Sequence, residues 1–257
     1  MLILSEDQKL LMASARGTVA EKAPIAEFRN LRADRNGLGF LPAFWRASAE
    51  LGWTGVLVPE AFGGLDFGVV GAGLMARELA LSPFLSTSVL SASALARAGS
   101  REQNADWLPR IARGEAIVAF ALDEGSRHGA IATTATRTGG GWRLDGVKQF
   151  VLDGHAADAM LIAAKTEDEV ALFLATADAA GLSRDARTLV DGRRSRRSLS
   201  TASSSARTRG LRAGQRRSRK SSTSAGRSSP PRSAAWPKRR SRARRAISRN
   251  GASSIAG

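Results

Sequence analysis

The sequence contains no cysteine, which excludes disulfides and thiolate metal sites and fits a reducing compartment. It has two histidines, His128 and His155, with neither a paired nucleophile nor metal-ligand spacing around them. Both read as loop or surface residues, and no metal site is expected. No stretch approaches the roughly 20 unbroken apolar residues that cross a bilayer. The start, MLILSED, has no basic region followed by an apolar one. These absences predict a cytoplasmic soluble protein with no membrane association. Acid is also missing from one end, because no Asp or Glu follows Asp191. Residues 1–192 carry 19 Lys+Arg against 23 Asp+Glu, whereas residues 193–257 carry 20 Lys+Arg and no acid. The net charge of +16 therefore belongs to the back of the chain alone.

The first hundred residues read as helices. Ser5 followed by Gln8 is a capping-box pattern, with Leu10, Leu11, Ala15 and Val19 at helical spacing behind it. Phe40 to Leu51, Val69 to Leu81 and Ser86 to Ala98 follow as amphipathic or Ala/Leu-rich candidates, closed by Gly52, Ser82-Pro83 and Gly99. Ser100 with Gln103 opens another, whose apolar side is Trp107, Leu108 and Ile111. Short connections between them suggest a bundle. Past Glu115 the period changes to that of strands: Ile117 to Leu122, Ile131 to Thr136, Trp142 to Asp145, Gln149 to Leu152, Ala159 to Ala164 and Val170 to Ala175. Gly139-Gly140-Gly141 reads as a hairpin turn and not a phosphate loop. The expected fold is α+β: a helical bundle over 1–115, an antiparallel β-barrel or sandwich over 116–191, and a disordered Arg/Ser-rich tail over 192–257.

Three stretches carry a resemblance. LGWTGVLVPEAFGGL at 51–65 resembles the "L-G-hydrophobic…P-E-x-x-G-G" segment of acyl-CoA dehydrogenases, and WLPRIARGE at 107–115 resembles the run that leads into their β domain. FALDEGSRHG at 120–129 resembles the strand end and loop that lie along the flavin ring, in a version similar to a divergent branch of small or partner subunits. GWRLDGVKQFVLDGHAAD at 141–158 resembles the pattern "G-x-hydrophobic-x-L-x-G-x-K-x-[WF]-I-T-x-G-x-x-A-D". The resemblance implies FAD as cofactor, with Leu122, Asp123, Phe150 and Leu152 as its neighbours and Ser126 beside the thioester substrate. Phe150 matches an aromatic that packs beside the flavin, and a flat heterocycle suits an aromatic face. Asp123 stands where the family has Thr, Gly125 where it has Pro, and Leu152 where it has a hydroxyl side chain. Lys148 reads as structural.

The implied activity is that of an oxidoreductase of fatty acid and lipid metabolism, the α,β-desaturation of an acyl-CoA thioester. A carboxylate base takes the α-proton while the β-hydrogen passes as hydride to the flavin, which an electron-transfer flavoprotein or similar acceptor reoxidises. Oligomers, homomeric or heteromeric, are implied as well. In the family that base is a Glu of a C-terminal domain, so no catalytic residue is assigned, and weak or absent FAD binding without dehydrogenase activity is expected. Two alternatives stand beside this reading: a non-catalytic partner subunit of a hetero-oligomeric dehydrogenase, and an Arg-rich nucleic-acid binder.

For the nucleic-acid binder, the tail offers phosphate contacts but only Trp236 for stacking, so no specific nucleic acid is expected. The tail fits out-of-frame translation of a GC-rich gene, which yields Arg, Ser, Ala, Gly and Pro. With suitable codons, ISRNGASSIAG at 247–257 shifts to Leu-Glu-Glu-Arg-Arg-Gln-Phe-Asp-Arg, similar to the family's "R-x-Q-F" segment. Sequencing the gene past the codon for Asp191 is expected to reveal a family-like reading in another frame; its absence refutes the frameshift.

Overall fold

The computed structural model describes residues 4–34, 37–79, 82–125, 130–139 and 141–184, and the backbone of 185–188, 194–197, 202–204 and 206–207. Six α-helices lead: α1 (Glu6–Lys22), α2 (Ile25–Ala33), α3 (Pro42–Glu50), α4 (Gly68–Glu78), α5 (Ala92–Ala98) and α6 (Arg101–Ala112). Both expected capping boxes form. Ser5 Oγ accepts from the Gln8 amide while Gln8 Oε1 accepts from the Ser5 amide, and Ser100 and Gln103 repeat the exchange. Each box satisfies two amides that a helix start leaves unpaired. Leu10, expected on the apolar side of α1, is exposed, while Leu11 and Ala15 are buried and Val19 packs partly buried against the core.

Phe84–Ser91 is wound as a π-helix ahead of α5. Its Thr87 makes a reciprocal pair with the first strand, Thr87 Oγ1 accepting from the Val118 amide and donating to the Val118 carbonyl. The segment thereby satisfies backbone groups that a strand edge otherwise exposes. The connector at 53–62 contains two single 3-10 turns, Trp53–Gly55 and Glu60–Phe62, and no strand. The returning chain lies against it: the Leu65, Asp66 and Phe67 amides donate to the Gly55, Val58 and Val56 carbonyls.

The strands are β1 (Val118–Ala121), β2 (Thr134–Thr138), β3 (Gly141–Asp145), β4 (Val151–Leu152), β5 (Ala159–Lys165), β6 (Val170–Thr176), β7 (Asp185–Thr188), β8 (Arg194–Arg197), β9 (Ala202–Ser204) and β10 (Ala206–Arg207). The β2–β3 hairpin forms as expected, with Thr134 opposite Asp145. The expected antiparallel barrel is corrected. β1 and β2 both run parallel to β5, while β6 runs antiparallel to it, so the main sheet is mixed. Its order β10-β6-β5-β2-β3-β9, with β1 also on β5, is an open path among the described residues. β4, β8 and β7 form a second, three-stranded sheet. Parallel pairing arises because β1 reaches β5 only after a long excursion through the hairpin and β4, and such crossovers allow either direction. The described strands β8–β10 lie between residues 194 and 207.

The core explains the layering. Val118, Leu161, Leu172 and Leu174 pack with Leu95, Trp107, Leu108 and Ile111 of α5 and α6. Ala119, Met160, Ile162 and Phe173 face the opposite way, into a cluster with Phe44, Trp45, Met75 and Phe84. Alternate residues of the same strands thus bury against different helices. Trp45 Nε1 donates to the Gly114 carbonyl and Thr54 Oγ1 to that of Ala112, fixing α3 and the connector to the end of α6.

A Cβ at Gly64 would fall 1.9 Å from the Val58 carbonyl oxygen, backbone that cannot swing away. Gly64→Ala is therefore expected to cost about 1–3 kcal/mol, read as a lowered thermal unfolding midpoint; an unchanged midpoint would contradict the close approach.

Candidate functional site

The end of β1 and the chain that enters β4 meet at one edge of the sheet. The Gln149 amide donates to the Asp123 carbonyl at 2.7 Å. Next to it, Lys148 turns inward and is fully buried, with Nζ donating to the Leu122 carbonyl at 3.2 Å and to Glu124 Oε1 at 2.5 Å. Glu124 collects further donors, the Ala132 and Thr133 amides and the Thr133 hydroxyl. One carboxylate thus joins the loop after β1, the approach to β2 and the approach to β4.

Burial pushes the Glu124 carboxyl up, but the Lys148 ammonium and the Thr133 and Ala132 donors outweigh it and hold it at about 2. Burial pulls Lys148 below its ordinary value despite the attraction of Glu124. The pair is a structural lock rather than a proton-transfer couple. Its ammonium is sealed from solvent, in line with the structural reading of Lys148.

The lock leaves an apolar ledge above it. Leu122 is 38%, Val147 42% and Phe150 55% exposed, although Val151 next in line is buried. Phe150 has φ 55 and Asp153 φ 57, in the left-handed region. For a bulky residue such as Phe150 this is a true outlier, and outliers of this kind cluster at functional sites. The structure brings Leu122, Asp123, Phe150 and Leu152 of the sequence reading together at this edge, with Asp123 and Leu152 half-buried. Ser126 and His128 lie outside the described residues. His155 Nε2 contacts the Leu38 carbonyl. Sequence reading did not single out Glu124, Val147, Asp153 or Ser86; only a Glu and a Lys flanking the same strand ends could have signalled the first. Among the described residues no group of three or more acidic or His side chains could hold a metal, and no helix is long and apolar enough to cross a membrane.

Residues 5–115 match the family of the acyl-CoA dehydrogenase N-terminal domain. Residues 5–115 thus carry the N-terminal domain of the acyl-CoA dehydrogenase family. The chain is 33% identical over 153 residues to the acyl-CoA dehydrogenase FadE12 of Mycobacterium tuberculosis, covering 54% of this chain and 39% of that protein. It is 32% identical over 185 residues to the NADH-dependent acryloyl-CoA reductase of Anaerotignum propionicum, covering 66% of this chain and 44% of that one. The chain thus spans less than half the length of these curated relatives. Among solved structures, the ChsE4–ChsE5 complex of M. tuberculosis superposes with TM-score 0.74 at 29% identity, over 81% of this chain and 58% of that one. A glutaryl-CoA dehydrogenase of Mycobacterium smegmatis, solved in complex with FADH2, gives 0.68 at 25% identity, over 81% and 57%.

The Glu124 lock has a pH signature. Its folded value lies below the ordinary 4.5, so its contribution is complete above about pH 4.5 and is lost as pH falls towards 2. Glu124→Gln, which strands the buried ammonium, is expected to cost on the order of 3 kcal/mol at neutral pH. Denaturant titrations should show that deficit shrinking between pH 4.5 and 2; a deficit independent of pH contradicts the lock.

Proposed function

We propose that the described unit is the flavin-facing front of an acyl-CoA dehydrogenase that acts by α,β-desaturation of an acyl-CoA thioester. The observation that carries this reading is the exposed Phe150, held in a left-handed backbone conformation on the stretch that also exposes Val147 and is bonded to the carbonyls of Leu122 and Asp123. An aromatic ring with two aliphatic neighbours offers a flat apolar face, which fits one side of an isoalloxazine ring. Leu122, Asp123, Phe150 and Leu152 would hold FAD, and Ser126 would lie towards the thioester. FAD, when bound, supplies the acceptor for the hydride leaving the substrate. The chain's own contribution is to shape and dry one side of the site, because Lys148 and Glu124 turn their charges inward. Leu152 brings no hydroxyl to the ring, which weakens the polar half of the interaction.

The proton-abstracting base is a separate requirement, and no Asp or Glu follows Asp191 to provide it from the tail. The chain as given is accordingly proposed to bind FAD weakly and to lack dehydrogenase activity, its acyl-CoA and electron-transfer flavoprotein partners belonging to the complete site. One finding favours a second reading. The M. tuberculosis structure similar to this chain is a complex of two different proteins, which supports a partner-subunit role in a hetero-oligomer.

Titration of the purified chain with FAD, followed by flavin absorbance and fluorescence, is expected to give a dissociation constant in the micromolar range or weaker, about −8 kcal/mol or less favourable. No reduction of the flavin by an acyl-CoA is expected. Stoichiometric FAD that an acyl-CoA bleaches would overturn the inactive reading. Restoration of bleaching on mixing with a full-length dehydrogenase subunit that is inactive alone would select the partner role.

A further inference from the structure

Beyond β4, three residues past Phe150, the carboxylate Oδ2 of Asp153 accepts a hydrogen bond from Ser86 Oγ at 2.6 Å. Both residues are buried, Ser86 completely. An O–H donor on an ionised acceptor is short and roughly twice as strong as a neutral pair. Burying a carboxylate is costly unless it is bonded, and this contact gives Asp153 a buried donor, shorter than the 3.1 Å from the same hydroxyl to the Pro83 carbonyl. Ser86 is a firm anchor, because the π-helical segment that carries it is bonded to β1 through Thr87. Asp also tolerates the left-handed φ of 57 better than most residues. The Asp153 carbonyl then accepts from the Ala156 amide, and the Gly154 amide donates to Val151.

The segment 148–154 is therefore gripped at two ends. Lys148 and Gln149 fasten one end to the loop after β1, and Asp153 fastens the other to the helical layer through Ser86. Phe150 sits between the grips in a conformation that a bulky residue keeps only when its surroundings over-determine it. We propose that Asp153, acting through Ser86, is a positioning residue that holds Phe150 turned outward and so sets the geometry of the ledge. Its consequence for cofactor binding rests on the flavin reading above. Asp153 touches no reacting atom in this role.

The test compares Ser86→Ala, Asp153→Ala and Asp153→Asn with the unaltered chain. Asn keeps both the acceptor for Ser86 and the tolerance for a left-handed backbone, so it serves as the conservative rescue. Two readouts are taken: amide hydrogen exchange across residues 149–154 without ligand, and FAD affinity. Ser86→Ala and Asp153→Ala are expected to exchange faster in that segment and to bind FAD roughly tenfold more weakly, the effect of losing one charge-assisted bond. Asp153→Asn, which keeps a neutral bond from Ser86, should lie between the unaltered chain and the alanine variants in both. Should Asp153→Ala fail to fold, Ser86→Ala carries the comparison against Asp153→Asn. Unchanged local exchange in Ser86→Ala overturns the positioning role, as does faster exchange in Asp153→Asn equal to that of the alanine variants. If the unaltered chain takes up no FAD at all, the flavin reading fails by itself and the exchange data alone decide the role of Asp153.

Discussion

β5 has no polar face, and that one constraint organises the molecule. Residues 159–164 are buried without interruption, and only Lys165 emerges at the strand end. A strand of this kind must be covered on both sides and cannot sit in a sheet with one wet face. α5 and α6 cover one side, and the cluster built on Phe44, Met75 and Phe84 covers the other. The parallel run of β1 beside β5 is part of the same solution. β1 alternates its own residues between the two clusters, Val118 to one and Ala119 to the other. The edge of β1 is then closed by the Thr87 hydroxyl. Helices and strands share one core, and neither layer could be removed without exposing the other.

That shared core places the ledge. β1 ends at Ala121, where burial stops and Leu122 emerges into solvent. The chain from β3 must return to the same edge to form β4, and the Glu124–Lys148 pair fastens that return. A buried ion pair is weak evidence for stability, since desolvation offsets much of its Coulomb energy. Its value here is directional. A carboxylate that receives donors from residues 132, 133 and 148 admits very few arrangements of its own loop and the two segments that supply them.

Local order was legible in the sequence where a single segment decides it. The two capping boxes, the β2–β3 hairpin and the apolar sides of α3 and α6 need only neighbours in sequence. α2 went unread because its buried side is slight, and strand direction was misread as antiparallel throughout because period two is the same for parallel and antiparallel pairs. The π-helical winding of Phe84–Ser91 leaves no periodic trace in eight residues. At the site, the stretches 120–129 and 141–158 were legible through resemblance, and Phe150 was singled out by it. The partners that fix Phe150 were not. Ser86 lies 67 residues from Asp153, and nothing in either segment announces that they meet.

The altered residues at this edge argue for a division of labour between shape and hydrogen bonding. On the flavin reading proposed above, Leu152 in place of a hydroxyl would remove a polar contact but leave the backbone path of β4 intact, because that path is set from outside, by Gln149, Lys148 and Asp153. A site that loses polar contacts to a bound ring loses affinity in steps of about 1 kcal/mol per bond, whereas one that loses its framework loses the ability to present a flat face at all. On that reading the sequence differs from the family in the first kind of residue and keeps the second. A scaffold in that condition is suited to seat a ring loosely or to present its edge to another subunit, and both proposed roles draw on the same preserved frame.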